Sequence, residues 1–449
     1  MREQWSSKAG FVLAAAGSAV GLGNLWKFPY TVGMNGGGAY VALYLLFVLL
    51  IGMPLMLAAI TLGRKTQLSV FGAYKSISRR WAFVGALAVI CGFFILAFYS
   101  AVGGWVLYYL QAALRSQLNT TDPARLEAVF SQLLASPIQL ICYQFIFLLI
   151  TLVIVLGGIR KGIEKASKLM MPALFLLLII IAVRSLTLEG SMEGIRFLFT
   201  PDFSKITPDL AMYAMGQVFF SLSIGMGVMI TYGSYLDKKV NLVQSAVMIP
   251  LLDTAVALIA ALATIPAVFS FGFEAGEGPG MMFITLPAVF ASMPFGQVFV
   301  ILFFVLVLFA ALTSSISMLE VAISYFVDEK KFQRKSSAIL ISIAIFIMGI
   351  PASLSLVAKN QLFSIGSLSI FDLYDKLTSN ILLTTGAFLL SIFVGWVLKP
   401  ENAIQEIEAS GIHFRLAKVW SVLIKYIVPV GVLIILIQSY QGFISALLR

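Results

Sequence analysis

Two glycine-rich interruptions inside apolar segments hold the residue types best suited to bind a small ligand. The first is GSAVGLGN at residues 17–24, and the second spans residues 216–227. Glycine is a poor helix former, so both stretches predict broken helices. A break exposes N–H groups that attract a carboxylate, and carbonyl oxygens that suit a hard cation such as sodium. The alternative is that these glycines only let neighbouring helices pack closely.

The elements that carry these interruptions are predicted membrane spans. The chain of 449 residues is 60% hydrophobic and 11% charged, whereas soluble domains are roughly 25% charged. About 20 apolar residues cross a bilayer, which predicts an all-α polytopic membrane protein with 11 transmembrane helices. These cover residues 10–34, 39–63, 82–113, 137–156, 165–186, 210–236, 241–271, 296–327, 336–355, 367–398 and 418–447. A shorter stretch at 279–292 predicts a helix outside the bilayer.

The two interruptions fall in the first and sixth segments, five spans apart. This spacing predicts a 5+5 inverted repeat with broken helices 1 and 6, because a repeat of five spans must reverse its direction in the membrane. The repeats would cover residues 10–186 and 210–398, followed by an eleventh helix at 418–447. We expect residues 1–449 to form a single transmembrane domain with a ligand site near the bilayer midplane.

The basic residues predict the orientation of the chain. With the N-terminus in the cytoplasm, 21 of the 30 Lys and Arg residues fall in cytoplasmic segments, as the positive-inside rule requires. An odd number of spans then puts the C-terminus outside the cytoplasm. We therefore expect a multi-pass protein of the inner or plasma membrane, with the lipid bilayer as its surroundings. The basic and apolar N-terminus imitates a signal peptide, but it continues into Asn24, Trp26 and Lys27, which predicts mature protein.

Several other function classes find little support in the sequence. A net charge of +10 would suit a nucleic-acid partner, but the basic residues are scattered between apolar segments, so none is expected. Cys91, Cys142 and His413 form no pattern for zinc or haem. No phosphate-binding motif or organic cofactor is indicated. An intramembrane hydrolase would need a base in the spans, which hold no histidine, so no enzyme is expected. The oligomeric state is left open.

Three motifs resemble those of one family. GSAVGLGNLWKFPY at 17–30, followed by NGGGA at 35–39, is similar to the first helix of the neurotransmitter:sodium symporter family. FFSLSIGMG at 219–227 resembles its sixth helix, and LTSSI at 312–316 its eighth. The similarity extends over nearly the whole chain. The protein thus resembles bacterial sodium-coupled amino-acid transporters of the leucine-transporter fold.

The resemblance implies two Na⁺ sites and one pocket for a small amino acid. The first sodium site would use Ala19, Asn24, Ser221 and Asp253, with the substrate carboxylate completing it. The second would use Gly17, Val20, Ala310, Thr313 and Ser314. The substrate pocket would be lined by Ala19, Leu22, Gly23, Tyr99, Phe220, Ser221, Ser223, Met226, Ser314 and Met318. The Tyr99 hydroxyl would donate a hydrogen bond to the carboxylate.

Asp253 departs from the family pattern, because many relatives have an amide at this position. An acidic residue in an apolar helix is costly, which points to a function. Beside sodium, it would supply the negative charge that chloride supplies in animal relatives, so we expect chloride-independent transport. Two alternatives stay open: an acid that faces a water-filled path, and a proton carrier in a proton-coupled amino-acid transporter of the same fold.

The resemblance also predicts two gates. On the outside, Lys27 and Asp375 would pair over the site. On the inside, Arg2 and Asp328 would pair, helped by Trp5 and Tyr235. Each of these charges also fits a solvated helix end.

The side-chain part of the pocket indicates the substrate class. Met226, Met318 and Phe220, with Ile95 nearby, give no counter-ion for a charged side chain, and methionine adapts to varied apolar shapes. The sequence therefore predicts import of neutral hydrophobic or aromatic amino acids, such as leucine, tryptophan or tyrosine. Transport would proceed by alternating access, coupled to sodium.

Overall fold

Helices make up most of the structure. The computed structural model describes residues 3–271, 280–357, 363–365 and 368–448. Its helices are α1 Lys8–Ala19, α2 Gly23–Met34, α3 Gly38–Thr66, α4 Val70–Ile77, α5 Arg79–Leu114, α6 Pro123–Leu134, α7 Pro137–Leu156, α8 Ile159–Leu186, α9 Ser191–Phe199, α10 Pro208–Ser221, α11 Val228–Gly233, α12 Leu242–Ser270, α13 Met281–Ala291, α14 Gly296–Glu329, α15 Arg334–Leu354, α16 Ile370–Leu398, α17 Pro400–Glu408 and α18 Ala417–Ser445. Two short strands, β1 Ser364–Ile365 and β2 Leu368–Ser369, pair antiparallel.

These elements confirm the predicted all-α membrane fold. Within the described residues, nine helices are each long and apolar enough to cross a membrane, and α1 with α2 forms a bent tenth span. Helices α10 and α11 divide the segment predicted at 210–236 into two short pieces. The helix predicted at 279–292 is α13, and α8 begins at Ile159 instead of residue 165.

The spans differ in how much of their apolar surface the protein itself covers. In α3 and α14, 67% of the most apolar stretch is buried, against 33% in α7 and α18. Helix α14 packs along α5 and also contacts α1. The broken helices are therefore held against well-buried spans, whereas α7 and α18 leave most of their apolar side chains uncovered, as lipid allows.

The first break lies between α1 and α2, whose axes differ by 53°. Because the helix stops, the carbonyl of Ser18 loses its partner four residues later along the chain. It instead accepts hydrogen bonds from Ser223 Oγ at 3.1 Å and Ser314 Oγ at 3.2 Å. The freed backbone oxygen is thus satisfied by side chains of two other spans, as a water-poor environment requires.

The second break separates α10 from α11 and depends on left-handed backbone. Ser223, Gly225 and Gly227 have φ angles of 53°, 97° and 80°. A Cβ added at Gly225 would lie 2.2 Å from the carbonyl oxygen of Leu383. Only glycine combines this φ with so close an approach. Ser223 holds an uncommon conformation without that freedom, which is typical of functional sites.

Candidate functional site

A small cavity lies between the two breaks. The residues that line it are Ser18, Ala19, Gly21, Leu22, Gly23, Ile95, Tyr99, Phe220, Ser223, Met226, Ser314, Ser317 and Met318. Nine of the ten residues predicted for the substrate pocket are in this set. The tenth, Ser221, belongs to a polar cluster beside the cavity.

The cavity combines polar backbone with apolar side chains. Leu22 and Gly23 bring the N-terminal end of α2 to its wall, and such an end favours an anionic group. The hydroxyl of Tyr99 is buried and makes no hydrogen bond to a described residue, so it is available as a donor. Ile95 and Met226 contribute hydrocarbon surface. This arrangement suits a small molecule with a carboxylate and an apolar side chain.

Asp253 is the centre of the polar cluster beside the cavity. It is fully buried, and Asn24 Nδ2 donates to its Oδ1 at 2.8 Å. Ser221 Oγ donates to Oδ2 at 2.7 Å, and the Tyr44 hydroxyl donates to the same oxygen at 3.3 Å. Among the described residues, no basic side chain forms an ion pair with this carboxylate. Three of the four predicted ligands of the first sodium site are therefore in direct contact.

Residues predicted for the second sodium site lie where the end of α1 meets α14. Ser314 Oγ lies 3.5 Å from the carbonyl oxygen of Val20, and Thr313 Oγ1 lies 3.0 Å from that of Ala310. A Cβ added at Gly17 would lie 3.2 Å from Thr313 Cβ, so these segments are in close contact. The oxygen atoms that could coordinate an ion here belong to hydroxyl and carbonyl groups, which suit a hard cation. No group of three His, Cys, Asp or Glu side chains able to hold a metal lies in the described residues.

A larger cavity adjoins the first, and we call it the vestibule. It shares Leu22, Gly23, Tyr99 and Phe220 with the small cavity. Its other lining residues are Trp26, Lys27, Tyr30, Phe98, Val102, Trp105, Phe130, Leu134, Leu356, Phe371, Asp372 and Asp375. The four shared residues therefore form the boundary between the small cavity and the vestibule.

The predicted outer gate residues both line this vestibule but do not pair. Lys27 Nζ lies 4.9 Å from the centre of the Phe220 ring, where a cation–π interaction holds it. Asp375 Oδ1 instead accepts a hydrogen bond from Ser379 Oγ at 2.8 Å. The predicted ion pair is thus not formed in this conformation, although both residues are described. Their gating role stays a prediction.

The residues predicted for the inner gate lie close to the N-terminal segment of the chain. Trp5 is buried; its indole N–H donates to the carbonyl of Tyr232 at 3.0 Å, and its backbone N–H donates to that of Tyr235 at 3.3 Å. Asp328 accepts a backbone N–H at the start of α4 at 2.6 Å. Arg2 lies outside the described residues, so the predicted pair with Asp328 stays a prediction. The gating role of Trp5 and Tyr235 also stays a prediction.

Two charged residues near Tyr235, Glu320 and Arg334, were not predicted from the sequence. Glu320 is fully buried in α14, and Arg334 binds it with two hydrogen bonds of 2.8 and 2.6 Å. The Tyr235 hydroxyl donates to the same carboxylate at 2.7 Å. An acidic residue inside an apolar span was the available signal.

Comparison with known proteins agrees with this geometry. A profile of the sodium:neurotransmitter symporter family matches residues 2–126 and 133–447. The chain belongs to this family. A sodium-dependent transporter of Bacillus subtilis is 42% identical over 97% of both chains. A sodium-dependent transporter of Methanocaldococcus jannaschii is 32% identical over 96% of this chain and 88% of its own. The dog sodium- and chloride-dependent taurine transporter is 28% identical over 91% of this chain and 73% of its own.

Solved structures agree as well. The crystal structure of MhsT in complex with L-phenylalanine superposes with a TM-score of 0.90 and 40% identity, covering 98% of this chain and 100% of that chain. Proteins of this family are secondary transporters with inverted repeats and broken helices. The chain is therefore a multi-pass membrane transporter of the sodium-dependent class and not an enzyme.

Proposed function

We propose that the protein imports neutral hydrophobic or aromatic amino acids together with sodium, by alternating access. The observation that carries this proposal is the small cavity, which both broken helices border and which adjoins the buried Asp253 cluster. The family membership supports the coupling to sodium, and the phenylalanine bound to MhsT supports the substrate class.

Each part of an amino acid has a counterpart in the cavity. The carboxylate would meet the N-terminal end of α2 and the free Tyr99 hydroxyl, and the amine would meet carbonyl oxygens at the breaks. The side chain would lie among Ile95, Met226 and Met318, with Phe220 covering it on the vestibule side. Each buried CH₂ contributes about 0.8 kcal/mol, so larger apolar side chains should bind better until they clash.

Sodium would enter the two oxygen-lined sites as a co-substrate. The first site, at Ala19, Asn24, Ser221 and Asp253, would share its ion with the substrate carboxylate, so that each ligand strengthens the other. The fixed charge of Asp253 would make chloride unnecessary. The second site, between α1 and α14, would hold an ion with neutral oxygens only.

The orientation follows from the positive-inside rule. The N-terminus and Trp5 would face the cytoplasm of a cell with this protein in its inner or plasma membrane, and the vestibule would open outside. Closure at Lys27, Asp375 and Phe220 would then precede opening near Trp5.

Binding of the twenty amino acids to the purified protein tests the proposal. We expect leucine, phenylalanine, tryptophan and tyrosine to bind in sodium and to bind at least about tenfold more weakly in potassium, since the carboxylate would lose its partner ion. Glycine should bind more weakly than leucine. Tighter binding of glycine would contradict the substrate class, and uptake that follows pH but not sodium would favour a proton-coupled transporter.

Replacing Gly21 with alanine should block the cavity from inside. The added Cβ would lie 2.6 Å from Ser314 Oγ and 3.4 Å from the Tyr99 hydroxyl. Crowding of this kind costs about 1–3 kcal/mol, so leucine affinity should fall about tenfold or more. Gly216→Ala is the matched control, since a Cβ there meets nothing within 4 Å. Equal leucine affinities of the two variants would contradict this location of the substrate.

A further inference from the structure

A polar cavity lies where the ends of α5 and α7 meet α6, apart from the small cavity and the vestibule. We call it the glutamine cavity, because most of its lining consists of four glutamines and two tyrosines: Gln111, Gln117, Gln132, Gln139, Tyr108 and Tyr143. Of its described lining residues, Arg115 alone is charged. None of them lines the small cavity or the vestibule, so this cavity is not part of the candidate site described above.

Helix α6 lies between the glutamine cavity and the vestibule. Its residues Phe130 and Leu134 line the vestibule, whereas Val129 and Gln132 line the glutamine cavity. Residues three or four positions apart share one face of a helix, so these two pairs mark two different faces of α6. The glutamine cavity is therefore a separate site with a chemistry of its own.

The glutamine cavity offers a positive charge and many hydrogen-bonding groups. In the part of the chain that the structure describes, Arg115 forms no ion pair, and no Asp or Glu lines the cavity. A guanidinium group has a planar fork of N–H donors that matches a phosphate. The carboxamides of Gln117, Gln132 and Gln139 make no hydrogen bond to a described residue. Each can both donate and accept, which suits the hydroxyl groups of a ligand.

Apolar side chains that face lipid adjoin this cavity along the chain. Leu114 precedes Arg115 and is 64% exposed, and Ile138 precedes Gln139 and is 76% exposed. Helix α7 has only 33% of its most apolar stretch buried within the protein. A ligand with a polar head and an apolar tail would therefore find a polar cavity beside an uncovered apolar surface.

Two tyrosines of the lining also indicate the edge of the bilayer. The rings of Tyr108 and Tyr143 pack edge to face, with their centroids 5.4 Å apart. The hydroxyl of Tyr143 donates a hydrogen bond to Gln111. Tyrosines are enriched where hydrocarbon meets water, because the ring is apolar and the hydroxyl is polar. The cavity therefore lies at the depth of the lipid headgroups.

We propose that the glutamine cavity binds the headgroup of an anionic phospholipid that carries hydroxyl groups, as phosphatidylglycerol does. Basic pockets between membrane helices bind such headgroups. Arg115 pairs with the phosphate, the glutamines bind the hydroxyls, and the acyl chains lie along the exposed face of α7. An ethanolamine headgroup finds no carboxylate for its ammonium group. With the proposed cytoplasmic N-terminus, the third span α5 ends outside, which assigns the lipid to the outer leaflet.

Native mass spectrometry of the purified, delipidated protein in detergent tests this proposal. Phosphatidylglycerol should bind about fivefold to tenfold more tightly than phosphatidylethanolamine with the same acyl chains, and Arg115→Ala should lose this preference. Arg125→Ala is the matched control, because Arg125 lies on α6, is 78% exposed, pairs with Asp122 and does not line the cavity. Equal binding of phosphatidylglycerol to the wild type and Arg115→Ala would overturn the proposal, and so would an equal loss in both variants.

A lipid without headgroup hydroxyls tests the role of the glutamines. Phosphatidylmethanol carries the same charge as phosphatidylglycerol but has a methyl group in place of the glycerol. We expect the wild-type protein to bind phosphatidylglycerol about threefold to fivefold more tightly, and the double variant Gln132→Ala with Gln139→Ala to bind both lipids equally. Equal binding of the two lipids to the wild type would overturn the preference for hydroxyl groups.

A soluble headgroup distinguishes a lipid from a free phosphate ester. Glycerophosphoglycerol has the headgroup of phosphatidylglycerol without its acyl chains. An equal concentration of it should leave the bound lipid in place, because the contacts with α7 are lost. Displacement of the lipid would overturn the proposal and assign the cavity to a soluble phosphate ester. All three measurements are made without transport, so their outcome does not depend on the amino acid that the protein carries.

Discussion

Replacing Asp253 with asparagine is expected to weaken sodium binding about 100-fold or more in the absence of chloride. The carboxylate is fully buried, and Asn24, Ser221 and Tyr44 hold both of its oxygens. In the part of the chain that the structure describes, no Lys, Arg or His forms an ion pair with it. A buried carboxylate without a cation is costly, and a sodium ion bound at the proposed site would supply the missing positive charge.

The expected size of the effect follows from Coulomb's law. At an effective dielectric constant of about 20, two unit charges about 4 Å apart gain about 4 kcal/mol. Asparagine keeps the size of the side chain and one oxygen, so part of this energy remains; a factor of 100 is about 2.7 kcal/mol. Because the substrate carboxylate would share the ion, substrate affinity should fall in parallel. Asn24→Ala should weaken both ligands in the same way.

Uptake of labelled leucine into liposomes, titrated with sodium in chloride and in gluconate, measures this effect. We expect the wild-type protein to be indifferent to the anion, and chloride to restore part of the activity of Asp253→Asn. Asp202→Asn, at an exposed site, is the control. Wild-type uptake that collapses in gluconate would contradict chloride independence. A normal sodium titration of Asp253→Asn would contradict the sodium site.

Hydropathy and glycine content predict much of this fold because the membrane permits so few alternatives. Backbone groups in lipid must be paired within a helix, so a long apolar run specifies its own secondary structure. The glycines at 17, 21 and 23 then mark the break between α1 and α2, and Gly225 and Gly227 mark the second break. The residues of the pocket could be predicted because the family motifs fix the register of each broken helix.

Contacts between distant parts of the chain were not predictable in this way. Ser18 and Ser317 are ordinary serines until the packing of α1 on α14 brings their hydroxyls together. Lys27 lies over the Phe220 ring and not against Asp375, although all three residues line the vestibule. Sequence alone identifies such charged residues as candidates, but their partners require the assembled fold.

Arg64 and Glu406 form a buried ion pair between distant parts of the chain. Removal of either side chain is expected to destabilise the protein by about 3–5 kcal/mol. Arg64, near the end of α3, is fully buried; its Nε donates to Glu406 Oε1 at 2.8 Å and its Nη1 to the Val240 carbonyl at 2.6 Å. Lys238 Nζ contacts both Glu406 oxygens at 2.8 Å. The cluster joins α3, the segment after α11, and α17.

The large cost arises because a single substitution leaves a buried charge without its partner. Arg64→Ala leaves Glu406, which is 7% exposed, with Lys238 alone, and Glu406→Ala leaves the buried guanidinium without a carboxylate. Denaturation of each purified variant in detergent measures the loss of stability that each substitution causes. Lys75→Ala is the control. It removes the ion pair between Lys75, whose side chain is 48% exposed, and Glu329. Loss of such an exposed pair should cost about 0–1 kcal/mol of stability. Equal losses in Arg64→Ala and Lys75→Ala would contradict the prediction.

The double substitution Arg64→Met with Glu406→Leu separates the charge from the packing. It removes both buried charges and keeps apolar volume, so it should recover most of the stability that either single alanine variant loses. Lys238 would then turn to solvent, since half of its side chain is already exposed. A double variant as unstable as Arg64→Ala would instead mean that the hydrogen bonds from Arg64 to the carbonyls of Lys238, Val240 and Glu406 hold this end of the helices together.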